Sequence, residues 1–180
     1  MNQPLELFPF PDDSAGEWEQ FKVSAVATRN TNSVRVEFLL AGNLSEIQIP
    51  RTNSGGDRSH DLWKTTCFEF FIREPDAQTY WESNLSPSGD WNFYRFSGYR
   101  EGMCEEARIA ILLSQTERAD RLLKLHCELP LQPLKLTSAS LELSLTTVVK
   151  KQSGSIGYWA AKHACSQPDF HHPQSFIIKI

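Results

Sequence analysis

Period-two alternation of apolar and polar residues runs along this chain from end to end, and it leaves room for little but β-sheet. Residues 21–27 put Phe21, Val23, Ala25 and Ala27 on one face. Residues 34–40 set Val34, Val36, Phe38 and Leu40 against Arg35 and Glu37. Residues 123–129 alternate Leu123, Leu125, Cys127 and Leu129 with Lys124, His126 and Glu128. Residues 141–149 set Leu141, Leu143, Leu145, Thr147 and Val149 against Glu142, Ser144, Thr146 and Val148. Further strands are expected over 107–113, 155–161 and 175–180. The only stretch that reads as a short helical turn is 115–120. Structure breakers fall between the runs: AGN at 41–43, TNSGGDRS at 52–59 (a mobile loop rather than a domain boundary), PSGD at 87–90 and LPLQP at 129–133. About ten short strands at this spacing predict an all-β, antiparallel β-sandwich, with a closed β-barrel as the alternative. Residues 1–180 read as one domain.

Two runs carry more information. In 66–73, Thr66, Phe68, Phe70 and Ile72 face one way and Cys67, Glu69, Phe71 and Arg73 the other. Apolar residues on both faces imply a central strand covered on both sides. Glu69 then points into an enclosed space, where a carboxylate needs a partner. The stretch 80–100, YWESNLSPSGDWNFYRFSGYR, reads as a β-hairpin around Pro87, Ser88 and Gly89. On its first strand Tyr80, Glu82, Asn84 and Ser86 share a face, opposite Trp81, Ser83 and Leu85.

An aromatic plane beside a carboxylate and an amide is what a polyhydroxylated ligand requires: a ring to stack on and groups to bond its hydroxyls. Trp63, Trp91, Tyr158 and Trp159 are further platforms. If the three strands are neighbours, Arg95 can bridge Glu69 and Glu82. Such a group serves either as an ion pair that fixes strand register or as a carboxylate pair of glycosidase type. A bound Arg lowers a carboxyl pKa, which opposes the general-acid role. His163, Asp169, His171 and His172 form a candidate metal set. The prolines around PDFHHP fit instead an extended loop that lines a pocket mouth or caps the sandwich. The chain contains no GxSxG, HExxH, P-loop or GxGxxG motif.

The net charge of −4 argues against a nucleic-acid partner. No apolar run is long enough to cross a bilayer, so no membrane role is expected. The first residues, MNQPLELFPFPDD, lack a basic region and a continuous apolar segment, so a cytoplasmic location is expected. Of the four cysteines, Cys67 and Cys127 sit in strand runs as small core residues, and Cys104 and Cys165 fall in loops. Free thiols are expected.

The order LWKTTCFEFFI (62–72) then YWESNLSPSGDWNFYRF (80–96) resembles the pattern of family 9 carbohydrate-binding modules and the related DOMON superfamily. The closing YWAAKHACSQPDFHHPQSFIIKI (158–180) resembles the end of a DOMON-like group of bacterial proteins. The resemblance runs from Trp63 onward, with Trp63, Glu69, Tyr80, Asn84, Gly89 and Trp91 on the motif. Thr65 and Thr66 depart from it, standing where an acidic pair is usual. The resemblance implies a β-sandwich that binds sugars or haem. A haem would need an axial pair, for which Met103 and His163 are the candidates.

These readings converge on a non-catalytic, cofactor-free binding module for a carbohydrate or similar small polar ligand. Its expected contacts are Trp63, Glu69, Tyr80, Glu82, Asn84, Trp91, Arg95 and Trp159. The alternatives are a sugar-active or metal-assisted hydrolase, a haem-binding domain, and a protein-interaction domain.

Overall fold

The computed structural model describes residues 3–11, 15–50 and 56–180. Most of the TNSGGDRS segment expected as a mobile loop lies outside the described residues. Among those described are twelve strands: β1 (Leu5–Pro9), β2 (Lys22–Arg29), β3 (Ser33–Ala41), β4 (Cys67–Arg73), β5 (Tyr80–Leu85), β6 (Trp91–Phe96), β7 (Cys104–Glu105), β8 (Ser114–Ala119), β9 (Leu122–Pro130), β10 (Glu142–Lys150), β11 (Ile156–Ala160) and β12 (Ile178–Lys179). The helical content is a few short 3-10 turns.

The strands pair antiparallel in the order β7-β6-β5-β4-β10-β11-β1-β2-β3-β9-β8, with β12 added beside β10. Strand β1 serves both halves. Its Leu5–Leu7 portion pairs with β2, and Phe8 and Pro9 pair with β11. The path curls so that one layer faces the other, but its ends, β7 and β8, do not meet. The fold is therefore a sandwich-like half-barrel, not the closed barrel that was the alternative.

The alternating runs explain the packing. Phe21, Val23, Ala25 and Ala27, the β3 set Val34 to Leu40, and the β9 set Leu123 to Leu129 form one wall of the core. Phe68, Phe70 and Ile72 of β4, Phe93 of β6, and Leu143 and Leu145 of β10 form the other. Phe38 meets Phe68 across the gap with ring centroids 5.3 Å apart. Each such side chain removed from water contributes about 1.5–3 kcal/mol. Cys67 and Cys127 are buried, Cys165 is partly buried and Cys104 is exposed.

Three expectations differ from the fold. Of the strand expected over 175–180 only Ile178–Lys179 forms, because Pro173–Ser175 makes a 3-10 turn. Residues 107–113 form no strand, and the strand instead begins at Ser114. The 115–120 stretch, which reads as a helical turn, supplies most of β8. Its residues are largely exposed because β8 is an edge strand with β9 as its one neighbour. Hairpin pairing with β9, from Ser114↔Cys127 to Ala119↔Leu122, overrides the weak local preference.

Candidate functional site

Strands β4, β5, β6, β10 and β11 turn one face to the inter-sheet core and the other outward. The outward face is not bare. Phe71, Tyr80, Tyr94, Phe96, Val148 and Ala160 form a second apolar cluster, capped by Phe170 and Phe176 of the closing segment. Trp63 and Tyr158 pack against its margin.

The cap leaves a pocket of about 350 Å³. Glu69, Glu82 and Val148 form its floor; Trp63, Phe96, Tyr158 and Phe170 form its walls. Arg100, Met103, Pro168 and His171 complete the rim.

Strand register sets the two carboxylates. Phe71 pairs with Glu82 and Glu69 with Asn84, so Glu69 and Glu82 are diagonal neighbours on one face. Glu82 Oε1 accepts a 2.8 Å hydrogen bond from Asn84 Nδ2. Glu69 is only 3% exposed, and its Oε1 makes no close hydrogen bond. The Thr146 hydroxyl, on the residue paired with Glu69 across β10, makes no close hydrogen bond and supports the carboxyl only weakly. Burial, and then the charge of Glu82, push the Glu69 carboxyl well above the usual range, and Cys67 and Thr146 oppose this more weakly. Burial also raises Glu82, partly offset by the Asn84 hydrogen bond and the charge of Arg100. The two cannot readily be ionised together.

The closing segment is tied down beside them. Asp169 Oδ1 accepts from Arg100 Nε at 3.2 Å and Nη2 at 2.8 Å, and from the His171 backbone N–H at 3.1 Å. Tyr99 donates its hydroxyl to Asp169 Oδ2. The Arg100 backbone N–H donates to Tyr80 Oη at 3.2 Å, and the same hydroxyl shares a 2.8 Å hydrogen bond with His171 Nδ1. With Tyr80 as the donor, His171 carries its proton on Nε2, which lies 3.8 Å from Glu82 Oε2. Burial, assisted by Arg100, lowers the His171 pKa to about 4 and keeps the ring neutral.

Of the residues singled out from sequence, Trp63, Glu69 and Glu82 line the pocket. Tyr80 stands behind it, stacked on Phe96 at 4.7 Å, and Asn84 lies beneath, bonded to Glu82. Three others are elsewhere. Trp91 and Trp159 point into the inter-sheet core, Trp91 under the Arg58 guanidinium at 4.3 Å and Trp159 edge-on to Trp18 at 6.4 Å. Arg95 pairs with Trp81, on the face opposite Glu82, and its exposed side chain reaches Cys104 rather than the glutamates. The bridge expected from it does not form, although β4, β5 and β6 are neighbours.

The candidate metal residues are engaged separately. His163 Nε2 contacts the Phe8 carbonyl, Asp169 holds Arg100, His171 holds Tyr80, and His172 caps the turn Pro173–Ser175. Among the described residues no three His, Cys, Asp or Glu side chains converge as a metal site. Met103 lines the pocket but His163 does not, so this cavity does not bring the proposed haem pair together. The sequence reading missed Arg100 and Phe96 as pocket residues. Arg100 has a backbone signal, a left-handed φ of 57°, which no sequence pattern discloses.

The fold and this pocket define an antiparallel β-sandwich with a cleft on the outer face of one sheet. No protein-family model matches the chain and no curated protein matches it in sequence. Among solved structures it is similar to a Bacteroides uniformis protein provisionally described as carbohydrate-binding. The two are 14% identical over 96% of this chain and 84% of the other, with a TM-score of 0.65. Carbohydrate-binding modules of family 9 from Caldicellulosiruptor kristjanssonii, solved with glucose and with cellotriose, align over 86% of this chain. They cover 73% and 72% of their own lengths, at 14% identity and a TM-score of 0.47. At such identity the likeness to the Bacteroides protein is one of fold, and that fold is the one the sequence resemblance implied.

Proposed function

We propose that the chain is a carbohydrate-binding module of the family 9 or DOMON-like type, with its ligand in the pocket above Glu69 and Glu82. The observation that carries this reading is the pairing of two buried carboxylates on the floor with Trp63, Phe96 and Tyr158 on the walls. Ring faces take the apolar side of a pyranose, and carboxylates accept from its hydroxyls. A volume of about 350 Å³ is near the lower end for ligand pockets, which suits a single sugar unit or a chain end. The fold likeness to a protein described as carbohydrate-binding supports the same reading.

The test is titration calorimetry of the purified protein against a panel of mono- and disaccharides, repeated with Trp63→Ala and Glu82→Gln. Saturable binding that either variant weakens by about tenfold or more supports the reading. Binding unaffected by both variants moves the ligand elsewhere.

A second reading, glycoside hydrolysis, draws on one observation: Glu69 and Glu82 are diagonal neighbours on one sheet face, and burial raises both, as for an acid and its partner. Aryl-glycoside turnover lost in both Glu69→Gln and Glu82→Gln would establish it.

A further inference from the structure

We propose that the pocket selects an amino sugar, whose ammonium group docks against Glu69 and Glu82 while its ring lies among the aromatic walls. This rests on the carbohydrate reading above and adds the charge of the ligand.

One buried acceptor in the pocket floor is short of donors. Glu69 lines the pocket, and its buried Oε1 makes no close hydrogen bond, Cys67 and Thr146 giving the carboxyl only weak support. A buried unpaired carboxylate oxygen is costly, so the site is incomplete without a donor. The second carboxylate, Glu82, has Asn84 on one oxygen and only the distant His171 Nε2 near the other.

Among the described residues no protein cation is bonded to either carboxylate. Arg100 borders the pocket, but its Nε and Nη2 are both spent on Asp169. His171 is neutral, and Arg95 lies on the other face. The remaining titratable neighbours, Cys67, Tyr80 and Tyr94, carry no positive charge, and burial keeps each protonated. Two carboxylates therefore face the ligand with no cation bonded to either, and only the field of Arg100 acts on Glu82.

A neutral sugar offers hydroxyl donors but leaves that charge in place. An ammonium brings three N–H donors and a positive charge to the same spot. Trp63, Phe96, Tyr158 and Phe170 add ring faces that attract a cation. On binding, the proton held by the carboxyl pair passes to solvent and both carboxylates become ionised against the ammonium. No other bond forms or breaks.

The experiment is calorimetry of the intact protein near neutral pH with D-glucosamine, D-glucose, N-acetyl-D-glucosamine and choline. Two buffers of different ionisation enthalpy report proton release. The expected result is glucosamine bound about tenfold or more tightly than either neutral sugar, with net proton release. Glu69→Gln, which removes one of the two charges the ammonium would meet, should bring the glucosamine-to-glucose affinity ratio close to one, whatever it does to the affinity for sugars in common. If that variant does not fold, as judged by near-UV circular dichroism, Glu82→Gln serves in its place. Glucose or N-acetylglucosamine bound as tightly as glucosamine overturns this inference and leaves the carbohydrate reading standing. Choline bound with no sugar bound overturns both, assigning the site to a non-sugar ammonium. Binding of none of the four also overturns the inference, and the wider sugar panel then decides the carbohydrate reading separately.

Discussion

Arg100 and Asp169, 69 positions apart, close the pocket rim by two hydrogen bonds to one carboxylate oxygen. Tyr99 takes the other oxygen, so adjacent residues of one turn grip the closing segment together. Burial opposes ionisation of Asp169, but the Tyr99 and Arg100 hydrogen bonds outweigh it and hold its pKa down.

Removing that anchor should loosen the cap before it harms the core. Asp169→Ala is expected to speed amide hydrogen exchange over residues 168–176 while the β3 and β9 amides stay protected. Because Arg100 is half exposed, the global cost should be about 1 kcal/mol or less. Unchanged exchange over 168–176 would mean that Phe170 and Phe176 hold the segment alone.

The floor carboxyls give the ligand-free protein an unusual pH response. Both have folded-state pKa values above their unfolded ones, so the folded state binds protons more tightly. Their contribution is fully present below the ordinary carboxylate range and is lost as pH rises through the raised values. Urea denaturation across a pH series should show stability falling toward neutrality. Glu69→Gln should flatten that fall and raise stability at neutral pH. A variant as pH-sensitive as the parent would show that Glu69 does not hold the proton.

Glu106 behaves in the opposite sense. Hydrogen bonding from Arg108 lowers its pKa to about 2, against burial and with help from the Trp81 indole at 3.0 Å. Its stabilising contribution is present above the usual carboxylate value of 4.5 and is lost as pH falls through about 2. Glu106→Gln should therefore lower the melting temperature at neutral pH and reduce its loss on acidification. Parallel melting curves for the two proteins down to strong acid would contradict this.

The tryptophans divide cleanly by face. Trp159→Ala should cost about 3–5 kcal/mol of unfolding free energy, the usual loss for an emptied aromatic core site. Trp63→Ala sits at the pocket wall and should cost about 1 kcal/mol or less while weakening sugar binding. Chemical denaturation and calorimetry on both variants separate the two roles, and a reversed pattern would exchange wall and core.

Much of the sheet was legible because its residues obey one period. The faces of β4 and β5 followed from alternation alone, which placed Glu69 and Glu82 together on the pocket side. The misplacement of Arg95 was avoidable. The turn closes with Ser86 N–H bonded to the Asp90 carbonyl, and counting outward from Leu85↔Trp91 pairs Arg95 with Trp81. Trp91 falls on the core face by the same count. Arg100, Phe170 and His171 were harder to place as walls. They come from turns and from the closing segment, where no period operates and long-range hydrogen bonds decide position. The PDFHHP stretch read as the lining of a pocket mouth, and its segment does cross the pocket rim, but through Asp169 and His171 acting as ties.

Strand β1 sets an order on folding. Leu5–Leu7 find partners in β2, about twenty positions on, but Phe8 and Pro9 must wait for Ala160 and Trp159. On a ribosome the seam between the layers stays open until nearly the whole stretch from β1 to β11 has emerged, leaving the β11 edge of the pocket-bearing sheet without its neighbour. A nascent chain stalled before β11 should therefore be a target for chaperones, and full protease resistance should arrive in one late step rather than strand by strand.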